Sequence, residues 1–234
     1  MAYDKGETVA FTAFYAGNLM EAGKLLKVIK KKKALRQIEL SSEMCMLLDT
    51  FHEPVDYNSV EEKNALLQRY FEACRHNISG EKVSCDIDRL SADLEKKAFW
   101  LMDNIRKNEW VKSSEGYEWF NEYYDNSGKK VEGDHSDCVR MTLTGQVFPV
   151  MMGIATEEQI EKVVAAVEHY LFDKNIGGYR LNTNFKEVKL DLGRCFGFAY
   201  GHKENGAIFS HMVVMYAAAL YRRQGDTFAV QFKH

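Results

Sequence analysis

The densest group of chemically active side chains lies near the carboxyl end of the sequence. Residues 201–211 read GHKENGAIFSH and stand at the start of an apolar segment that predicts a helix. The free backbone N–H groups at a helix start, together with Lys203 and His211, would suit an anion such as phosphate. Glu204 and Asn205 offer hydrogen bonds to sugar hydroxyls. A structural interpretation is equally open, in which Asn205 caps the helix, Lys203 is solvated and His211 is a hydrogen-bonded core residue.

Two other groups of residues also allow both a functional and a structural interpretation. An aromatic run could stack on sugar rings, although such residues more often fill a core; its members are Tyr117, Trp119, Phe120, Tyr123 and Tyr124. A basic stretch between residues 24 and 36 contains no acidic residue. Such a stretch can indicate nucleic-acid binding, but cations near the carboxyl end of a helix also complement its dipole, and we favour this second interpretation.

Composition and spacing exclude several classes of protein and site. Lys plus Arg is 31 and Asp plus Glu is 34, so the formal charge of −3 provides no strong field for nucleic acid. No run approaches the ~20 apolar residues of a membrane-spanning helix, and Asp4, Lys5 and Glu7 interrupt any signal peptide. We therefore expect a cytoplasmic protein without a nucleic-acid or membrane partner.

The metal-binding residue types do not occur at the spacing of a metal site. The five cysteines are never arranged as C-x-x-C, so we expect reduced thiols rather than a zinc site or a disulfide framework. The acidic and histidine residues considered for a metal were Glu43 and Asp49 with His52, and Asp86 with Asp88. Their spacing matches no common metal motif, and we predict that no metal is bound.

Helical periodicity dominates the rest of the chain. The pattern predicts helices over residues 6–29, 59–78, 90–105, 156–171 and 207–223. Ser59 with Glu62, and Thr156 with Gln159, have the spacing of capping boxes, and a glycine pair at 177–178 is expected to close the fourth helix. The last helix is apolar on nearly every side, which is typical of a central helix.

Two longer stretches, residues 113–139 and 173–206, lack this periodicity. The second is rich in Tyr, Phe and Leu, so we expect structured loops that form a site rather than disorder. The sequence thus predicts an all-α fold of helical hairpins with elaborated loops.

The segment from residue 178 to 211, GYRLNTNFKEVKLDLGRCFGFAYGHKENGAIFSH, resembles the inverting disaccharide and oligosaccharide phosphorylases of glycoside hydrolase family 94. The K-E-N-x-x-I-F-x-H signature of that family is matched by Lys203, Glu204, Asn205, Ile208, Phe209 and His211. Supporting matches are TGQ at 144–146, GIAT at 153–156, the Trp119-Phe120 segment, and the opening GETVAFTAFYAGNL. The resemblance extends over nearly all of residues 6–223.

The resemblance implies a partial (α/α)6 toroid, to which residues 1–234 contribute one partial catalytic domain with a divergent tail over 224–234. In the family, phosphate attacks the anomeric carbon of a terminal β-glucosyl residue and gives an α-sugar 1-phosphate with inverted configuration. On this basis Lys203 and Glu204 would bind the donor sugar and His211 would bind phosphate. Phosphate is the co-substrate, and no further cofactor is implied.

The sequence also departs from the family pattern. The general-acid Asp of the family lies in a D-W-N-D loop before the helix that begins here near Gly6, so this residue would lie upstream of Met1, and Asp4 is not in such a motif. We therefore expect a fragment that is inactive alone, or alternatively a non-catalytic module that binds sugar or phosphate. Its partners would be a β-linked oligosaccharide, phosphate, and either a second copy of the chain or the missing half of the barrel. The segment between Asn182 and Cys195 resembles members that act on β-1,2-glucans.

Overall fold

A computed structural model describes residues 7–192 and 194–224, and helices account for most of its regular structure. The described helices are α1 (Val9–Lys33), α2 (Ser42–Cys45), α3 (Val60–Cys74), α4 (Ile87–Asn108), α5 (Thr144–Met151), α6 (Glu157–Tyr170) and α7 (Ser210–Gln224). The mainly helical fold expected from the sequence is therefore confirmed. None of these helices has both the length and the apolar character required to cross a bilayer.

Short strands add a feature that the all-α prediction did not include. Each described sheet is an antiparallel pair. The pairs are β1 (Glu7–Thr8) with β6 (Tyr123–Tyr124), β2 (Gln37–Ser41) with β3 (Lys82–Asp86), β4 (Trp110–Lys112) with β5 (Glu118–Phe120), β7 (Gly133–Asp134) with β8 (Val139–Arg140), and β9 (Phe172–Asp173) with β10 (Gly178–Tyr179). Four of these strands, β5, β6, β7 and β10, and two short 3-10 turns lie wholly within the stretches expected to form structured loops.

The chain divides into two compact units. The first unit comprises residues 1–17 and 101–234, and the second unit comprises residues 18–100. The expectation that residues 1–234 act as one partial catalytic domain remains a prediction. Of the divergent tail expected over 224–234, Gln224 is the last residue of α7, and the other residues lie outside the described part.

The second unit has a small apolar core between α2, β3 and α4. Its buried members are Cys45, Leu48, Cys85 and Leu90. Helix α3 begins as expected, with the Ser59 hydroxyl accepting a hydrogen bond from the Glu62 amide at 3.2 Å. However, the apolar stripe that predicted this helix is not buried, because Leu67 is 41% and Phe71 is 56% exposed while Leu66 is buried. The helix also ends at Cys74, so the predicted extension to residue 78 is wrong.

The basic stretch lies at the carboxyl end of α1, in the second unit. The last turn of this helix consists of lysines 30–33, as the dipole interpretation requires. Lys27 binds Glu95 at 2.6 Å, and Lys30 pairs with Asp88. The stretch is thus explained by helix termination and by ion pairs with α4.

The first unit contains most of the fully buried large side chains. Helix α5 packs against α7, and α6 packs against β5. Its largest buried residues include Trp119, Phe120, Met141, Leu143, Ile154, Ile160, Tyr216 and Leu220. These elements surround the polar residues that the sequence singled out.

Helix α6 begins with a complete capping box. The Gln159 amide donates to the Thr156 hydroxyl and the Thr156 amide donates to the Gln159 side chain, both at 3.2 Å. Its end differs from the prediction: the helix stops at Tyr170, and Gly177 lies instead in the turn between β9 and β10, with a φ of 72°. This turn requires a positive φ, which is why a glycine stands there.

The described cysteine side chains lie in both units of the chain. Cys45, Cys74, Cys85 and Cys138 are free thiols. The side chain of Cys195 lies outside the described part of the structure.

Candidate functional site

A cavity of about 190 Å³ opens in the first unit between the polar loop that precedes α7 and the amino end of α5. Its size is below the ~300 Å³ of pockets for drug-sized ligands, and it suits a phosphate ion or a single sugar ring. The lining residues are Glu122, Tyr123, Thr142, Thr144, Leu181, Asn182, Phe196, Glu204, Phe209, His211 and Met212. Two of the residues singled out in the sequence, Glu204 and His211, therefore lie on one cavity.

A tight turn over residues 198–206 positions Glu204. Asn205, which is buried, holds this turn: its amide group donates to the Phe198 carbonyl at 2.6 Å and its side-chain oxygen accepts from Asn182 at 2.9 Å. The Gly206 amide donates to the Asn182 side-chain oxygen at 2.8 Å. Asn205 is therefore a bracing residue of the loop. The alternative in which it caps the following helix is wrong, because α7 begins only at Ser210.

The glycine of this turn has no room for a side chain. Gly206 has a φ of 75°, and a Cβ atom there would lie 2.2 Å from the Tyr200 ring. Arg180 donates to the Gly206 carbonyl at 2.6 Å, which fixes the same peptide from the other side. The local sequence thus allows only one path for the chain as it passes from Glu204 to α7.

Lys203 takes a different direction from its neighbour. Its backbone is in the left-handed region, with a φ of 48°, and its side chain is exposed. The ammonium nitrogen lies 4.7 Å from the centre of the Phe198 ring, which is the geometry of a cation–π contact. Lys203 is not part of the cavity lining, so the structure brings together Glu204 and His211 but leaves Lys203 outside.

His211 is the second residue of α7, and its exposed side chain borders the cavity. The Met212 and Val213 amides of its first turn donate to the Phe209 carbonyl, and the helix dipole places partial positive charge at this end. Phe209 and Met212 line the cavity beside it, which brings this helix end to the cavity wall. The cavity therefore combines a histidine with a helix amino terminus, both of which suit an anion.

Two buried glutamates form the opposite part of the site, and the sequence analysis did not identify either of them. Glu122 lines the cavity, and Glu132 lies behind it. Glu132 accepts hydrogen bonds from the Trp119 indole at 2.9 Å, the Glu122 amide at 3.1 Å and the Thr142 hydroxyl at 2.5 Å. Burial raises the pKa of Glu122 to about 7, and burial followed by repulsion from Glu122 raises the pKa of Glu132 well above its usual value.

The aromatic run contributes mainly to the core around these glutamates. Trp119 and Phe120 are fully buried, as the structural interpretation expected, whereas Tyr123 is half-buried and lines the cavity. Glu122 lies between these residues, in the sequence W-F-N-E-Y. A carboxylate placed among aromatic residues, two positions after buried Phe120, was the available signal for its burial.

The described residues, 7–192 and 194–224, contain no cluster of three His, Cys, Asp or Glu side chains that could hold a metal ion. The acidic and histidine residues considered for a metal in the sequence accordingly form no such cluster.

Comparison with known proteins places the chain that contains this site in a family. Residues 65–223, more than half of the chain, match the model of the glycosyl hydrolase 94 superfamily, catalytic domain. The chain is 29% identical over 123 residues to solabiose phosphorylase of Paenibacillus borealis, an alignment that covers 52% of this chain and 15% of that protein. It is 32% identical over 94 residues to N,N'-diacetylchitobiose phosphorylase of Vibrio proteolyticus, which covers 40% of this chain and 12% of that protein. The chain therefore spans a small part of the length of these curated relatives.

Proposed function

This chain belongs to the glycosyl hydrolase 94 superfamily, and on that basis we propose that it forms part of the catalytic domain of an inverting glycoside phosphorylase. The observation that carries the proposal is the cavity on which Glu204 and His211 meet at the amino end of α7. The two curated relatives named above, both phosphorylases, support the same reaction class. The substrate would be a β-linked gluco-oligosaccharide, and the co-substrate would be inorganic phosphate.

Each singled-out residue has a proposed role. His211, together with the first amides of α7, binds phosphate, because a charged oxygen is stabilised by donors aimed at it. Glu204 accepts hydrogen bonds from hydroxyl groups of the donor sugar. Lys203 is assigned to the sugar on the family resemblance alone, since its side chain is exposed and contacts Phe198.

The chemistry of phosphorolysis fits such a site. A phosphate oxygen forms a bond to the anomeric carbon while the bond from that carbon to the glycosidic oxygen breaks, and the leaving oxygen takes up a proton. Phosphate is already an anion at neutral pH, so no general base is needed to generate the nucleophile. The site must instead hold the anion in line with the anomeric carbon. The acid that protonates the leaving oxygen is assigned to none of the described residues.

The family also gives the proposed arrangement of the helices. We place the described helices in an (α/α)6 toroid, in which helical hairpins surround a central site and connecting loops form its entrance. The loop over residues 198–206 would then be one of the loops at that entrance.

A phosphate titration followed by NMR tests the assignment of the anion. We expect phosphate to shift the amide signals of the first turn of α7 in the wild type, with weak affinity, and His211→Ala to abolish this response. His202→Ala is the matched control, because His202 is exposed in the same loop and does not line the cavity. Unchanged phosphate shifts in His211→Ala would show that the anion binds elsewhere.

A sugar titration tests the remaining two roles. We expect a β-linked glucose disaccharide to perturb signals around the cavity in the wild type, and Glu204→Gln and Lys203→Ala to weaken this response while leaving phosphate binding intact. If Lys203→Ala binds the sugar as the wild type does, Lys203 has no role in sugar binding. Its exposed position outside the cavity lining would be consistent with that result.

A further inference from the structure

The cavity wall contains an ionisable group that the proposed function does not use. Glu122 is only 2% exposed, yet it lines the cavity together with Glu204 and His211. A buried carboxylate facing a site for phosphate is unfavourable if both are negatively charged. The protonation state of Glu122 therefore affects how strongly this cavity binds an anion.

A hydrogen-bond network couples the carboxyl group of Glu122 to that of Glu132. The Thr142 hydroxyl is hydrogen-bonded to Glu132 at 2.5 Å and also to Glu122, and the Gly145 backbone amide is hydrogen-bonded to Glu122 as well. These hydrogen bonds favour the ionised form of Glu122, whereas its burial opposes ionisation and is the larger effect.

Glu132 is the second buried carboxyl group of this network. It is hydrogen-bonded to the Trp119 indole at 2.9 Å and the Glu122 amide at 3.1 Å, in addition to Thr142. Burial and repulsion from Glu122 raise the pKa of Glu132 well above its usual value, so Glu132 keeps its proton at neutral pH. Two adjacent buried carboxyl groups do not both ionise at neutral pH, and Glu122 is the one that loses its proton as the pH rises.

The position of Glu122 is also fixed by close packing. A Cβ atom on Gly145 would lie 2.8 Å from the Glu122 Cβ atom and 3.0 Å from the Thr142 hydroxyl oxygen. The amino end of α5 thus packs directly against the Cα and Cβ atoms of Glu122.

We propose that Glu122 is a specificity-determining residue of the phosphate site, which admits an anion to the cavity in its protonated form and excludes it after losing that proton. This inference rests on the proposed function, because it concerns the same cavity. Among the described residues, the titratable groups that face Glu122 are Tyr123 from β6, Glu132 from the loop before β7, Glu204 from the 198–206 loop and His211 from α7.

Sulfate binding as a function of pH tests the proposal, because the charge of sulfate does not change near neutral pH. We expect the wild-type affinity for sulfate to fall at least ~10-fold between about pH 6 and pH 8, as Glu122 ionises. In Glu122→Gln this position of the wall stays neutral, so the fall should be several-fold smaller. Glu161→Gln, an exposed position on α6, should follow the wild type. Identical pH profiles for wild type and Glu122→Gln would overturn the proposal.

Infrared spectroscopy provides a readout that does not depend on binding. Buried protonated carboxyl groups should give a carboxylic-acid C=O stretch in the wild type at about pH 6, and the part of this band that disappears by about pH 8 should be absent in Glu122→Gln. A pH-dependent part that is retained in Glu122→Gln and lost in Glu132→Gln would assign the titration to Glu132 and overturn the proposal.

Different results would refute the anion site and the role of Glu122. Absence of sulfate and phosphate binding in the wild type at every pH would refute the proposed anion site and, with it, the role of Glu122. Anion binding that requires His211 but has the same pH profile in Glu122→Gln would refute only the role of Glu122.

Discussion

Glu122 and Glu132 are two carboxyl groups removed from water within one hydrogen-bonded network, and this burial has a cost in stability. The pKa of Glu122 is raised to about 7 in the folded chain, mainly by burial. Between the ordinary carboxyl value and about 7, the folded state holds a proton that the unfolded state releases, so stability decreases as pH rises through this window. Below it, both states are protonated and the penalty disappears.

We predict that Glu122→Gln becomes more stable relative to the wild type as pH increases. A glutamine does not ionise, so the variant avoids a penalty of up to about 3 kcal/mol that the raised pKa of Glu122 implies for the wild type at pH 8. Urea unfolding at pH 5 and pH 8 measures the difference. A constant difference between the two proteins across this range would show that Glu122 titrates at an ordinary pKa.

Asn205 supports the site through the backbone rather than through a ligand. Its side chain joins the Phe198 carbonyl to Asn182 inside the first unit. We predict that Asn205→Ala lowers the free energy of unfolding by about 1–3 kcal/mol, because buried polar groups lose their partners. Chemical denaturation measures this change. His202→Ala, at an exposed position of the same turn, should stay within about 0.5 kcal/mol of the wild type; equal losses in both would argue against the bracing role.

Lys203 and Glu204 are neighbours in the sequence, but the sequence alone does not reveal that their side chains point in different directions. The motif identified Lys203, Glu204 and His211 by type and spacing, and the structure brings the last two to one cavity. The direction of Lys203 depends on its left-handed backbone and on the Phe198 ring. That conformation is set by the hydrogen bonds of Asn205 and Asn182, which join residues far apart in sequence, and no local pattern reveals it.

Helix starts were the most predictable elements because their hydrogen bonds are local. Thr156 and Gln159 are three residues apart, and both bonds of the capping box are present. At Ser59 only the serine makes its expected bond, since the Glu62 side chain accepts from the Asp56 amide at 2.9 Å instead. The nearby Asp56 amide thus takes the place of the Ser59 amide as the donor to the Glu62 side chain, and only half of the capping box forms.

We predict that Thr156→Ala destabilises the chain by about 1 kcal/mol, because an amide in the first turn of α6 loses its acceptor. Serine at this position should restore most of the loss, since its hydroxyl can accept the same bond. Denaturant unfolding of both variants measures the effect. A Thr156→Ser variant as unstable as Thr156→Ala would show that methyl packing, and not the cap, is responsible.

The short strands were missed for the opposite reason. Glu7 and Thr8 pair with Tyr124 and Tyr123, more than a hundred residues away, and most strands contain only two or three residues. Alternation over two residues carries no detectable period. The predicted burial of the apolar face of α3 that contains Phe71 was wrong for a similar reason. Helical spacing shows which residues share a face but not whether another element covers that face.

At the scale of the whole chain, the sequence indicated the helical class and the family better than the division into units. The helical pattern and the K-E-N signature both extend over long or specific segments, and both are supported by the structure and the family match. The separation of residues 18–100 from the remainder follows from contacts between distant segments. No change in composition marks either boundary, so the sequence gives no sign of the two compact units, and the single partial catalytic domain stays a prediction.

The thiol pair in the second unit makes the opening of that unit measurable without introducing a probe. The sulfur atoms of Cys45 and Cys85 lie 3.9 Å apart in its core, and burial raises the pKa of Cys85 to about 11. A buried thiol with little thiolate reacts with an alkylating reagent only after the surrounding structure opens.

We therefore predict that alkylation modifies buried Cys85 at least about a thousandfold more slowly than half-buried Cys74 under native conditions. Mass spectrometry of timed samples assigns the rate to each cysteine, and a Cys45→Ala variant should accelerate Cys85 by enlarging the opening population. Equal rates for Cys74 and Cys85 would contradict the packed core. The ratio of the Cys85 rate to that of the unfolded chain then gives the free energy with which the second unit stays closed.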